Sequence, residues 1–143
     1  MALIYAPVLP ADQTVTSRMV DLTAATADVA TEETTTSTSY TNLATVGPAV
    51  TPASGVTQDQ IITVQSLQTN TTSTSYAYMS PAVSGATAID DDSNQTIGDG
   101  GLATHSRQTL ASAVASGSTH SAKYKANANT GDFIRRRIIA VAL

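Results

Sequence analysis

Short segments rich in Thr, Val, Ile and Tyr recur about every ten residues from residue 34 onward, and turn-forming residues separate them. β-Branched and aromatic side chains suit strands, whereas Gly, Pro, Asn and Asp suit the turns between strands. Since no helical segment lies between them, the pattern predicts an all-β fold, an antiparallel β-sandwich or jelly roll. The predicted strands are residues 34–46, 60–69, 75–83, 105–116, 120–126 and 133–143.

Two features of the sequence predict how particular strands are placed. In QIITVQSLQT, Ile62 and Val64 lie on one face, and the opposite face is also partly apolar. This pattern is typical of a central strand, which is covered on both sides. The loop between residues 121–127 and 133–141 contains Gly131, which is available for a positive φ. The two segments are therefore predicted to form a hairpin.

The pentapeptide TSTSY occurs twice, at residues 36–40 and 72–76. The distance from each copy to the next Pro-Ala-Val differs, eight residues in one case and five in the other, so the pair is not a duplicated unit. Alternating Thr, Ser and Tyr suits a half-solvated strand. We therefore expect both copies to be strand sequence.

The first 33 residues differ in character from the rest of the chain. Their apolar start is interrupted by Pro7 and Pro10, which exclude a central strand and favour an extended segment that lies on another surface. Residues 14–31 have helix-like apolar spacing, so a short helix formed on docking is the alternative there. We expect an N-terminal anchoring arm over residues 1–33 and a β-domain over residues 34–143. The residues expected to bind a partner are Leu3, Ile4, Tyr5, Pro7, Val8, Leu9 and Pro10.

Composition limits the classes of partner. Hydrophobic residues make up 41% of the chain but aromatic residues only 4%, so the core is expected to be thin and to gain from burial against copies of the chain or a partner. Seven basic and eleven acidic residues give a net charge of −4, which disfavours nucleic acid. The longest apolar run, residues 138–143, is far shorter than the ~20 residues that span a bilayer, so no membrane is expected. Cysteine is absent, which excludes disulfides.

Three consecutive arginines follow Phe133. Strand alternation places Arg135 and Arg137 on the face of Phe133, and Arg136 on the opposite face. They either protect a solvated or edge strand, or they pair with a carboxylate of a neighbouring subunit, with Asp132 and the acidic cluster at 90–92 as candidates. The candidate contacts between copies are Arg135, Arg136, Arg137, Tyr76 and Tyr78.

The sequence contains no recognisable catalytic constellation. His105 and His120 lie in ordinary strand sequence, and no G-x-S-x-G motif is present to supply a nucleophile. We therefore expect no enzymatic activity and no cofactor.

The segment AIDDDSNQTIGDGG has the oxygen-rich character of a calcium loop. The EF-hand pattern fails at its most restrictive positions, because Gln95 stands where Gly is needed and Gly101 where Glu is needed. A calcium site of another type at Asp90 and Asp92, or a plain acidic surface loop, both remain open.

Three stretches of the chain carry a resemblance to a known group of proteins. They are ATEETTTSTSYTNLATVGPAVT, YAYMSPAVSGAT and SAKYKANANTGDFIRRRIIAVAL. Together they resemble small β-sandwich virion proteins encoded by tailed phages, particularly phages of actinobacteria, over about residues 30–143. The group's closing strands and turn correspond here to Lys123-Tyr124-Lys125, Thr130-Gly131-Asp132 and Arg136-Arg137-Ile138-Ile139.

This resemblance implies a structural protein of the virion that is made in the host cytoplasm. Its jelly-roll-like domain would be presented at the outer surface and its N-terminal segment would hold it in place. Tail-fibre relatives usually carry a longer stalk, so the short arm favours a capsid decoration protein that binds the major capsid protein or another virion protein. We expect a homo-oligomer, with a trimer over the joints between shell subunits as one arrangement.

The alternative function is a tail-fibre or tail-tip protein for host or carbohydrate recognition. Such a protein needs exposed aromatic side chains. The tyrosines available outside the arm are Tyr40, Tyr76, Tyr78 and Tyr124.

Overall fold

A computed structural model describes residues 24–53, 55–84, 96–98 and 100–143 of the chain. These residues form nine strands and no helix, which confirms the all-β prediction. The strands are β1 (Ala25–Val29), β2 (Glu33–Thr35), β3 (Ala49–Val50), β4 (Gln58–Asn70), β5 (Ala77–Val83), β6 (Thr96–Gly98), β7 (Ala103–Val114), β8 (His120–Ala126) and β9 (Gly131–Ala142).

Two antiparallel sheets pack face to face, as expected for a β-sandwich. The first sheet has the order β1-β9-β4-β7, and β2 pairs with the other half of β9, so β1 and β2 together form one interrupted edge. The second sheet has the order β3-β8-β5-β6. Each sheet turns the alternating apolar side chains of its strands towards the other, and these side chains enclose the core.

The prediction of a central strand is confirmed. Strand β4 lies between β9 and β7 in the first sheet, with Ile62 and Val64 fully buried and Ile61 and Thr63 half-buried on the outer face. It is thirteen residues long, so it spans the whole sandwich.

The predicted hairpin is wrong, because β8 and β9 belong to different sheets. Both strands direct apolar residues into the core, and the rings of Tyr124 and Phe133 meet across it with centroids 4.9 Å apart. The positive φ of the connection is at Asn129 (59°). Gly131 instead permits close packing between the two sheets, because a Cβ there would lie 3.1 Å from the Cβ of Ala77.

The helical alternative for residues 14–31 is wrong over residues 25–29, which form strand β1, and residues 14–23 of that prediction lie outside the described part of the chain. Ala25–Val29 is extended and pairs with Arg136 to Ala140 of β9, while Ala25 and Ala27 pack against the core. Without β1, the edge of β9 would expose unpaired backbone groups, and this favours a strand there. The predicted arm therefore overlaps the sandwich at residues 25–33, and residues 1–23 lie outside the described part.

Residues 34–46 do not form the long strand that the sequence indicates. Strand β2 ends at Thr35, and both TSTSY copies lie in loops, so the strand prediction for them is wrong. The chain keeps only an isolated bridge between Thr41 and Tyr124 before β3. Side-chain alternation favours a strand, but continuous pairing with a neighbour is also needed, and this segment bonds β8 only at separate points, such as Ser37 with Ala126 and Thr41 with Tyr124.

A β-bulge in β9 changes which arginine faces the core. Gln65 of β4 is opposite Arg137 and Leu67 is opposite Ile134, so β9 has one extra residue in between. Arg135 lies at this extra position with a φ of 51°. The bulge places Arg136 on the buried face with Phe133, which reverses the predicted alternation.

The core has few aromatic residues, as the composition indicates, and contains several buried polar side chains. Gln68 of β4 donates to the carbonyl oxygen of Ala77 at 2.9 Å, and Asn70 donates to that of Ala128 at 3.0 Å. These bonds join the first sheet to residues of the second sheet and its connecting loop. The fully buried side chains include Ile62, Val64, Met79, Val114, Tyr124, Phe133 and Ile138.

Candidate binding surfaces

Two groups of sequence-predicted site residues lie outside the described part of the chain. One is the proposed docking set, Leu3, Ile4, Tyr5, Pro7, Val8, Leu9 and Pro10. The other is the acidic segment with Asp90 and Asp92, so the calcium alternative and the carboxylate candidates at 90–92 stay predictions. Within the described ranges, no group of three or more His, Cys, Asp or Glu side chains lies close enough to hold a metal ion.

The outer face of the second sheet carries a cluster of tyrosines and lysines, which we call the tyrosine–lysine face: Tyr40, Tyr76, Tyr78, Lys123 and Lys125. Tyr78 of β5 is directly opposite Lys125 of β8. The Lys125 Nζ atom lies 4.7 Å from the ring centroid of Tyr40 and 4.9 Å from that of Tyr78. The rings of Tyr76 and Tyr78 are 6.1 Å apart. Cation–π attraction therefore holds the lysine between two rings.

Hydrogen bonds of backbone groups position the tyrosine of each TSTSY loop on this face. The Tyr76 N–H donates to Asn127 Oδ1 at 2.7 Å, and the Asn127 N–H donates back to the Tyr76 carbonyl at 3.1 Å. Next to Tyr40, Thr41 exchanges two bonds of 3.0 and 2.9 Å with Tyr124. The sequence predicts the exposure of these tyrosines but not their convergence, because the two loops are far apart in the chain.

The tyrosine–lysine face suits a polar partner with apolar patches. Lys123 and Lys125 are the two lysines of an acidic chain, so this face is locally positive. Lys123 Nζ also donates to Asn42 Oδ1 at 3.0 Å. Tyr76 is 40% exposed, and tyrosine ring faces and hydroxyl groups can stack and form hydrogen bonds with a sugar or a protein surface.

The fourth tyrosine expected at the surface, Tyr124, is fully buried, so that expectation is wrong. Its side chain points inward because β8 alternates, and its hydroxyl donates to the Gly47 carbonyl at 2.8 Å. Burial raises the pKa of this phenol, which therefore stays protonated.

Arg136 is also buried, with no exposed side-chain surface, and this excludes it as a contact between copies in this fold. Its guanidinium bonds Glu33 Oε2 at 2.8 Å and lies 5.3 Å from the ring centroid of Tyr124. The partner of this arginine is thus a carboxylate of its own chain, and not Asp132 or the cluster at 90–92 of a neighbour. Further acceptors are the carbonyl oxygens of Thr31, Thr45 and Gly47 at 3.3, 3.4 and 3.5 Å.

Glu33 stays ionised in this environment. Burial tends to raise its pKa, but hydrogen bonds from Thr45 and the charge of Arg136 outweigh burial and lower the pKa below its ordinary value. The backbone N–H of Thr45 donates to Glu33 Oε1 at 2.7 Å. Arg136 and Glu33 together therefore fasten the long loop between β2 and β3 onto the sandwich.

The other two arginines are exposed on the outer face of the first sheet, so they remain candidate contacts between copies together with Tyr76 and Tyr78. Arg137 Nε donates to Asp28 Oδ1 at 2.5 Å, and about half of each side chain is exposed (49% and 56%). Arg135 projects from the bulge beside this pair.

The two histidines lie on strands, as expected. His120 is fully buried and its Nε2 atom bonds the side-chain oxygen of Gln60, which joins the two sheets. Burial lowers the pKa of His120, so its ring is neutral near pH 7. His105 lies on β7 in the other sheet.

No helix within the described ranges is long and apolar enough to cross a membrane. In comparisons with known proteins, no family model matches the sequence, and no curated protein matches it.

Proposed function

We propose that this protein is a bacteriophage capsid decoration protein, which binds the assembled shell through its N-terminal segment and presents the β-sandwich at the outer surface. The observation that carries the proposal is the position of β1. The described residues of the two sheets share a packed core, and β1 lies at the edge of the first sheet. The apolar, proline-containing segment precedes this edge strand in the chain, which supports a role for that segment in binding another surface. The resemblance to small phage virion proteins supports the same function.

The proposed mechanism is stabilisation by mass action. A ligand that binds only the assembled shell lowers the free energy of that state and raises the cost of disassembly. Many weakly bound copies suffice, because the stabilisation adds over all sites. A homo-oligomer would strengthen attachment further, since several arms would bind together.

Deletion of residues 2–12 tests the arm. We expect the shortened protein to lose binding to undecorated particles in a co-sedimentation assay, while its circular dichroism spectrum and unfolding midpoint stay those of the intact protein. A matched control is Val56→Ser, which changes an exposed apolar residue of the described domain and should bind normally. A shortened protein that still decorates particles would refute anchoring by this segment.

A second candidate function is host or carbohydrate recognition at the tail, and the tyrosine–lysine face favours it. Lys125 and three tyrosines form a preorganised surface of the kind that recognises sugars and polar protein surfaces. Copy number separates the two functions. Quantitative gel analysis of purified particles should give hundreds of copies for a decoration protein and a handful for a tail protein.

A further inference from the structure

The bulge in β9 borders a cleft on the outer face of the first sheet, which we call the bulge cleft. It has a volume of about 230 Å³ and is lined by Asp28, Gln65, Leu67, Thr104, Arg135 and Arg137. A neighbouring concavity of about 250 Å³ extends it along Val29 and Ala30 and shares three of those residues, Asp28, Arg135 and Arg137. The charged residues therefore sit where two hollows meet.

Arg135 is held in a conformation that a non-glycine residue seldom adopts. Its φ of 51° costs free energy for a side chain with a Cβ, and such strain persists only where the surrounding structure imposes it. Here the pairing of β4 with both halves of β9 fixes the extra residue in place. Bulges often re-aim a side chain beside a functional site, and this one aims an arginine into the cleft.

The charges of the cleft do not cancel. Asp28 pairs with Arg137 through the bond of 2.5 Å. Arg135 has no hydrogen bond or ion pair with any residue that the structure describes. The cleft therefore keeps one uncompensated positive charge, in a chain whose net charge is −4. The side chains of Gln65 and Thr104 add neutral hydrogen-bond donors, and Leu67 adds an apolar wall.

We propose that the bulge cleft binds a single carboxylate group carried on a short aliphatic chain, with the Arg135 guanidinium as its ion-pair partner. A guanidinium matches the planar carboxylate with two parallel hydrogen bonds, and Leu67 can contact the methylene groups behind it. One free positive charge balances one carboxylate. A polyanion such as nucleic acid would be repelled by Asp28 and by the net negative charge. The proposal does not depend on shell binding by the N-terminal segment.

The test is a titration with sodium propionate in which amide NMR chemical shifts are monitored. A titration with sodium chloride at equal ionic strength is the reference. We expect saturable shifts at Gln65, Leu67, Thr104 and Arg135, with a dissociation constant on the order of 10 mM, because the ion pair is partly exposed. The variant Arg135→Asn should weaken binding about threefold or more. Asn tolerates a positive φ, so this variant should keep the fold. The matched control Arg107→Asn removes an exposed arginine of the same sheet from outside the cleft and should bind propionate like the wild type.

Sedimentation equilibrium distinguishes the sources of the carboxylate. If an acidic side chain of a second copy fills the cleft, the wild-type protein should self-associate, and both Arg135→Asn and excess propionate should dissociate it. A monomer that binds propionate through Arg135 indicates a carboxylate from another protein or a free acid. Two results together would overturn the proposal. The first is that the shifts with propionate equal those with chloride, or persist in Arg135→Asn. The second is that self-association does not depend on Arg135.

Discussion

The buried side chain of Arg136 determines how the loop between β2 and β3 packs against the sandwich. It is a charged residue without exposed surface, and it is compatible with the core because Glu33 and several carbonyl oxygens surround it. A buried ion pair need not stabilise a fold relative to an apolar pair, but removing one partner leaves a charge without compensation. The Arg136–Glu33 pair therefore enforces the path of residues 31–47 across the edge of the sandwich.

Replacement of Glu33 by Gln should destabilise the protein by about 3 kcal/mol, near the lower end of the range for breaking a buried pair, because 12% of the Glu33 side chain still contacts solvent. Urea unfolding followed by circular dichroism measures the loss. The control Asp28→Asn breaks the exposed pair with Arg137 and should cost much less. Equal losses in the two variants would contradict this account of Arg136.

The buried His120 predicts a pH dependence of stability. Its pKa is lowered by burial from the ordinary value of 6.5, so the unfolded chain binds more protons than the folded protein below that pH. The free energy of unfolding should be highest above 6.5 and fall as the pH drops towards the lowered pKa. Urea unfolding at about pH 7.5 and about pH 5.5 should show this fall in the wild type and a smaller one in His120→Gln.

The same fall in His120→Gln as in the wild type would assign the effect to other groups. Glu33 acts in a separate window, because its lowered pKa contributes stability that is lost only as the pH falls below its ordinary value of 4.5.

Strands β8 and β9 show the limits of local patterns at the scale of the element. The sequence predicts both strands, yet they lie in opposite sheets, and the rings of Tyr124 and Phe133 meet in the core between them. The bulge is a similar case. Period-two alternation cannot include an extra residue, so the face of Arg136 is decided by the pairing of β9 with β4.

The change Gly131→Ala should destabilise the start of β9. The added Cβ would lie 3.1 Å from the Cβ of Ala77 and 3.3 Å from the ring of Phe133, so these neighbours would have to shift slightly to make room. Overpacking of this kind costs about 1–3 kcal/mol, measurable as a lower urea midpoint. Gly55→Ala is the matched control, because its Cβ would meet nothing within 4 Å. A midpoint for Gly131→Ala equal to that of the control would show that the neighbours of Gly131 can shift without cost.

The whole molecule offers two different outer faces. The second sheet presents the tyrosine–lysine face, and the first presents the bulge cleft. In the proposed function, the N-terminal segment holds the protein on the particle, and either face is available to contact neighbouring copies or molecules in the surroundings. Under this arrangement, the side that each face presents depends on its position relative to β1 at the edge of the first sheet.

Decoration predicts a change in the particle itself. Purified protein added to undecorated particles should raise the temperature at which they release DNA, and the effect should saturate when the binding sites are filled. A fluorescent dye that reports exposed DNA measures this temperature. Protein without residues 2–12 should leave it unchanged. An equal rise with the shortened protein would contradict anchoring by the N-terminal segment.

The sequence by itself determined the all-β class, the central position of β4 and most strand positions, because these depend on side-chain alternation and turn residues that are local in the chain. Only the tertiary structure decided which sheet each strand joins, that Arg136 and Tyr124 are buried, and that Tyr40 meets Tyr78 across Lys125. Those outcomes depend on contacts between residues far apart in sequence. Such contacts form only where packing and hydrogen bonding across the two sheets can be satisfied together.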